Sequence, residues 1–150
     1  MNGVLLDANI LIDALNDKDS ESAKKLKMLM EDKNTIIFIT PLISYEVLRG
    51  LSWENKETYQ KVKTAIASFS SLNIDHKITN LASELFRFEK YERLQKGQET
   101  KKINKHNFDI VHFSTAKIHN LELVSKDKDM QAGMNYIRRS NTDYLIILIS

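Results

Sequence analysis

The apolar positions of this chain change period several times, alternating between short unbroken runs and stretches spaced three or four residues apart. Val4-Leu5-Leu6 is an apolar run that stops at Asp7 and predicts a first strand. Ser20 or Ser22 can cap a helix that carries Ala23, Leu26 and Met30 on one face. Thr35 to Ile39 is β-branched and apolar throughout, the pattern of a strand buried in a parallel sheet. Pro41 suits the first turn of a helix that continues through Leu42 to Arg49 and stops at Gly50.

Further along, Tyr59, Val62, Ile66 and Phe69 recur at helical spacing, and Leu72-Asn73-Ile74 predicts another short strand. Thr79 to Leu94 predicts a long charged helix with Ala82, Leu85 and Phe86 on its inner face. Residues 96–106 form a polar, basic loop, and a helix returns over Asn107 to His119 with Phe108, Val111, Thr115 and Ile118 on one side. Leu121 to Val124 and Leu145 to Ile149 predict the last two strands. Short strands separated by helices imply an α/β fold with a parallel sheet and helices on both faces.

Composition narrows this picture without changing it. The 150 residues suit one domain, 1–150, with no repeat, low-complexity tract or composition shift to mark a second. There is no Cys, which excludes disulfides, thiolate zinc sites and a cysteine nucleophile and suits a reducing cytoplasm. No basic segment followed by an apolar one opens the chain, so no secretory signal is expected, and the Tyr144–Ile149 run is too short to span a membrane. A net charge of +2 permits nucleic-acid binding without arguing for it.

The placement of the acids is more informative. Asp7 follows the first strand, Glu46 lies in a largely apolar helix after the second, Asp109 sits in a first helical turn, and Asp127 and Asp129 follow the strand ending at Val124. In an open parallel sheet the carboxyl ends of the strands share one edge, where ligands bind. Asp7, Asp127 and Asp129 come to that edge, and Asp109 joins them if its helix starts there. Singly, each has an ordinary role: Asp7 as a helix cap, Glu46 as a solvated helix residue, Asp109 as a favourable helix-start charge, Asp127 and Asp129 as turn residues. Clustered carboxylates need a counter-charge to stay anionic, and Mg²⁺ or Mn²⁺, which take oxygen ligands and retain water, are the usual ones.

Four segments then match a known family. VLLDANILID (4–13), ISYEVLRG (43–50), NFDIVHFSTA (107–116) and LELVSKDKDM (121–130) resemble, in order, the acidic segments of PIN-domain proteins. The size of the chain is similar to that of the VapC-type toxins of that family. The resemblance implies a three-layer α/β/α PIN-like domain with a central parallel sheet and a metal-dependent endoribonuclease activity. It implies Asp7, Glu46 and Asp109 as core metal-binding carboxylates and Asp127 as the fourth, with Asp129 as the alternative. It also implies a homodimer and a cognate antitoxin partner. Ala8 stands where the family commonly has Thr, and Met130 where an aromatic residue is common.

Other features carry less. His76, His106, His112 and His119 lack the spacing of a helical metal pair and suit surface or helix-packing roles. Lys101, Lys102, Lys105 and His106, with Lys126, Lys128, Arg138 and Arg139, could steer an RNA backbone or simply be solvated. Trp53, Tyr45 and Tyr59 could stack on bases, but core packing or partner contact suits them better. Two rival functions are an aspartyl-phosphate phosphotransfer domain with Asp7 as nucleophile and a PIN-like RNA-binding module without catalysis. Asp13 is too far along its helix to assist Asp7 in the first, and the complete set of acids speaks against the second.

Overall fold

The structure, a computed structural model, describes residues 2–100, 103 and 107–126. Four parallel strands lie in the order β3-β2-β1-β4: β1 (Asn2–Leu6), β2 (Thr35–Ile39), β3 (Ser70–Ser71) and β4 (Glu122–Val124). Six helices are present among the described residues: α1 (Ala8–Asn16), α2 (Glu21–Glu31), α3 (Pro41–Arg49), α4 (Lys56–Ala67), α5 (His76–Gln95) and α6 (Asn107–Ile118). The architecture is the expected three-layer α/β/α arrangement. α1 packs on α2 and α3, α3 on α4, while α5 pairs with α6, which also meets β4 and β1. None of the described helices is long and apolar enough to cross a membrane.

β1 is central because its last three residues form an unbroken apolar run. Val4, Leu5 and Leu6 are all buried, pairing with Ile37 and Phe38 on one side and with residues 122–124 on the other. They join Ile37, Ile39, Ile43, Val47, Val62, Ile66, Leu123 and Val124 in one core. The chain steps outward from β1 to β2 to β3 and then returns to place β4 on the opposite side of β1. The strand order therefore reverses beside β1. A crevice at the carboxyl ends of β1 and β4 is the place where sheets of this kind bind ligands.

Several predicted elements shift for identifiable reasons. The strand expected at Leu72–Ile74 is instead Ser70–Ser71, because its partner β2 ends at Ile39, which is already in register with Ser71. Only one more bond follows, from Leu72 N–H to Ile39 O at 2.9 Å, before Thr40 caps α3. In α2 the inward face is Ser22, Leu26 and Leu29, leaving Met30 exposed, and Ser20 is the cap, accepting from Ala23 N–H at 3.0 Å. α5 begins three residues early because Asp75 accepts from Ile78 N–H at 3.0 Å and caps it. Within the expected polar loop, Ile103 is helical and fully buried. In α6 the buried residues are His112, Ser114, Thr115 and Ala116, so a largely polar face turns inward. Ser114 and Thr115 satisfy themselves by donating to the carbonyls of Ile110 and Val111, both at 2.8 Å. Core packing does not hold for Trp53 and Tyr45, which are exposed. The strand expected at Leu145–Ile149 lies outside the described residues.

α5 ends in a Schellman motif. Gly97 has φ +66°, its N–H meets Leu94 O at 3.2 Å, and Gln98 N–H meets Arg93 O at 2.8 Å. Nothing crowds a Cβ at Gly97, so the left-handed backbone alone requires glycine. Gly97→Ala is expected to cost about 1 kcal/mol in urea unfolding. An unchanged midpoint would show that the turn adopts another conformation without loss.

Candidate active site

Asp7 leaves β1 at its carboxyl end and stands just before α1, where its backbone N–H still bonds Val124 O at 2.9 Å. Its side chain makes no cap bond to the first turn of α1, so the ordinary helix-cap role does not account for it. Instead Ser125 Oγ, just past β4, donates to Asp7 Oδ2 at 3.0 Å across 118 residues of sequence. The carboxyl group is only 1% exposed. Burial holds it above the ordinary carboxylate range, with the charge of Glu46 adding to that shift. His112, the Ser125 hydroxyl and the Ala8 amide act in the opposite direction without cancelling it.

Glu46 reaches this region from α3. Thr40 accepts from Ile43 N–H at 3.2 Å and Pro41 starts the helix, so the entry of α3 is fixed directly after β2. Ile43 and Val47, both buried, dock α3 on the core and hold Glu46 on the helix between them. The Glu46 carboxylate is hydrogen-bonded to the imidazole of His112 on α6, which is completely buried. Asp109 is half-buried in the first turn of α6, one turn before His112 and on the same helix face.

The expected acids are thus brought together in part. Asp7 and Glu46 lie within electrostatic reach of each other, and His112 on α6 acts on Asp7 and bonds Glu46. Asp127 and Asp129 lie outside the described residues, as do Lys101, Lys102, Lys105, His106, Lys128, Arg138 and Arg139. Among the described residues no group of three or more His, Asp or Glu is gathered closely enough to hold a metal ion. The donors present nevertheless suit a hard divalent cation. Two carboxylates, one of them buried and resisting ionisation, repel each other, and a cation turns that repulsion into attraction.

Three features escaped the sequence reading. His112 looked like a surface or packing histidine, although its position three residues after Asp109 places both on one helix face. Ser125 was visible only as the hydroxyl residue closing a strand. Lys126 bonds Asp13 on α1 at 2.9 Å, and the Ser22 hydroxyl, followed by this lysine, draws the Asp13 carboxyl below its ordinary range. Nearby on α3, exposed Tyr45 meets Phe108 edge-on, and the Arg49 guanidinium lies over both rings at 5.3 and 5.5 Å.

The PIN domain family model matches residues 4–133. The chain belongs to the PIN domain family. PIN domains form a nuclease family and generally use divalent metal ions. Solved structures of similar fold include VapBC2 from Rickettsia felis bound to a DNA fragment from their promoter, with TM-score 0.64 and 22% identity over 87% of this chain and 92% of that one. A toxin–antitoxin complex from Klebsiella pneumoniae follows with TM-score 0.59 and 23% identity, covering 87% and 91%. VapC20 from Mycobacterium tuberculosis, a sarcin-ricin loop cleaving toxin, gives TM-score 0.55 and 13% identity, covering 86% and 93%. At these identities the likeness shows a shared fold. No curated protein matches it by sequence.

Proposed function

We propose that this PIN domain is a metal-dependent endoribonuclease and the toxin of a VapBC-type toxin–antitoxin pair. The observation that carries the reading is the buried Asp7 carboxyl at the crevice between β1 and β4, within reach of the Glu46 carboxylate. Asp7, Glu46, Asp109 and Asp127, with Asp129 in reserve, would hold Mg²⁺ or Mn²⁺. When bound, the ion supplies an activated water and neutralises charge on the phosphate being cleaved. Ser125 orients the Asp7 carboxylate through its hydroxyl, and the 0%-exposed His112 orients Glu46. Leu6 precedes Asp7, Ile43 and Val47 flank Glu46, and all three are buried in the core, which holds the two acids at its edge. The substrate is RNA, the protein acts in the cytoplasm as a homodimer, and a cognate antitoxin silences it. The solved toxin–antitoxin complexes of similar fold support that partner.

Producing the chain alone in bacterial cells tests the reading. Growth should stop, RNA fragments should accumulate, and co-production of a neighbouring antitoxin should restore growth. Normal growth with intact RNA at high protein level would contradict it.

The fourth ligand is assigned to Asp127 over Asp129. Asp127 lies three residues beyond Val124, near the strand end, and Asp129 two residues further on. Asp127→Asn should lower cleavage about 10²-fold or more. Asp129→Asn should mainly raise the metal concentration needed for half-maximal rate. Cleavage measured against Mg²⁺ concentration separates them, and the reverse order would move the role to Asp129.

A further inference from the structure

We propose that His112 is a positioning residue for Glu46, anchoring one carboxylate oxygen so that the other is held ready as a metal donor. This rests on the reading of Asp7 and Glu46 as metal-binding acids. His112 has no exposed surface, and its Nε2 meets Oε1 of Glu46 across 66 residues of sequence. A carboxylate only accepts hydrogen bonds, so Nε2 carries the proton and donates. Nδ1 is then left with a lone pair, and it is the buried side-chain polar atom without a hydrogen-bond partner among the described residues.

That arrangement is costly if His112 serves packing alone. An apolar side chain of similar size would fill the same space between α6 and α3 without burying an unmet acceptor. What the imidazole gains is the bond to Glu46. Glu46 has three side-chain torsions, and its second oxygen, Oε2, takes no part in the bond to His112. Fixing Oε1 removes rotamer freedom before any ligand arrives, so less is lost on binding. Hydrogen-bond partners of metal ligands commonly contribute about 10–100-fold in metal affinity or activity. Leu in place of His would remove the donor and keep the volume, while Gln would keep an N–H donor.

The full chain, stripped of metal, is titrated with Mg²⁺ by calorimetry and with Mn²⁺ by electron paramagnetic resonance. His112→Leu is expected to raise the Kd about 10–100-fold, and His112→Gln to recover most of that loss. In a Glu46→Gln background, His112→Leu should add nothing, because the carboxylate that His112 holds ready for the metal is already gone. Equal Kd for wild type and His112→Leu, or an undiminished effect in the Glu46→Gln background, would overturn the assignment. A wild-type measurement covers the case in which His112→Leu does not fold. With ¹⁵N-labelled histidine, the His112 Nε2 resonance should move with Mg²⁺, saturate at the calorimetric Kd and stay still in Glu46→Gln. A stationary resonance in wild type would overturn the assignment even where Mg²⁺ binds. If wild type binds neither Mg²⁺ nor Mn²⁺, the metal-site reading itself falls, and the positioning role falls with it.

Discussion

Replacing Asp7 by Asn is expected to abolish RNA cleavage and yet leave the metal-free protein more stable than wild type. The first half follows from charge: Asn keeps the size of Asp and one oxygen able to accept from Ser125, but lacks the anion a hard cation requires. A loss of about 10²-fold or more is the scale for removing one electrostatic catalytic group. The second half follows from burial. Asp7 is held above its ordinary value of 3.8, chiefly by desolvation, so the unfolded chain ionises first as pH rises. Between the unfolded and folded values the native state binds more protons, and stability falls with increasing pH. Asn carries no such cost.

Thermal unfolding in chelator should therefore give similar midpoints for the two proteins below the unfolded value. A gap in favour of Asp7→Asn should open as pH rises through the folded value. Excess Mg²⁺ should reverse the order, since an ion that binds only the folded wild type stabilises it by mass action. A variant less stable than wild type at neutral pH without metal would mean that Asp7 is a structural hydrogen-bonding residue.

The second large effect is structural and reaches the same site. Leu6 is completely buried, pairs in register with Val124 and directly precedes Asp7. Leu6→Ala should cost about 2–5 kcal/mol through lost transfer free energy and the cavity left behind. That is a large share of the roughly 5–15 kcal/mol by which domains are stable. Because the β1–β4 register at Leu6 and Val124 sets the distance between Asp7 and Ser125, activity per folded molecule should fall as well. Urea unfolding paired with cleavage rates checks both. A loss below about 1 kcal/mol would mean that the core collapses to fill the gap.

Much of this frame was legible in residue order because β1 and β2 each carry an apolar run that is followed by a polar residue. An apolar run that halts at Asp7 marks both a buried strand and the point where the chain turns out of the sheet. The β3 boundary was not legible, since its length depends on where β2 ends in space. The buried face of α6 was hidden for a different reason. Beside Thr115, which the pattern did show, its inward residues include His112 and Ser114, and polar side chains such as Ser114 that satisfy themselves on their own helix leave no apolar period to read. Met30 misled the α2 prediction because hydrophobicity alone does not separate it from Leu29 one position away. At the site, Asp7 and Glu46 were readable as acids beside apolar segments. Their coupling through His112 was not, because it joins α3 to α6 across a sequence gap that no local pattern bridges.

The most direct measurement of the central claim is cleavage of a labelled single-stranded RNA by one preparation, first stripped by exhaustive chelation and then given back Mg²⁺ or Mn²⁺. The expected result is no cleavage in the stripped protein, a dose-dependent return with either ion, and no return for Asp7→Asn. Full cleavage by the stripped protein would contradict a metal-dependent nuclease centred on Asp7.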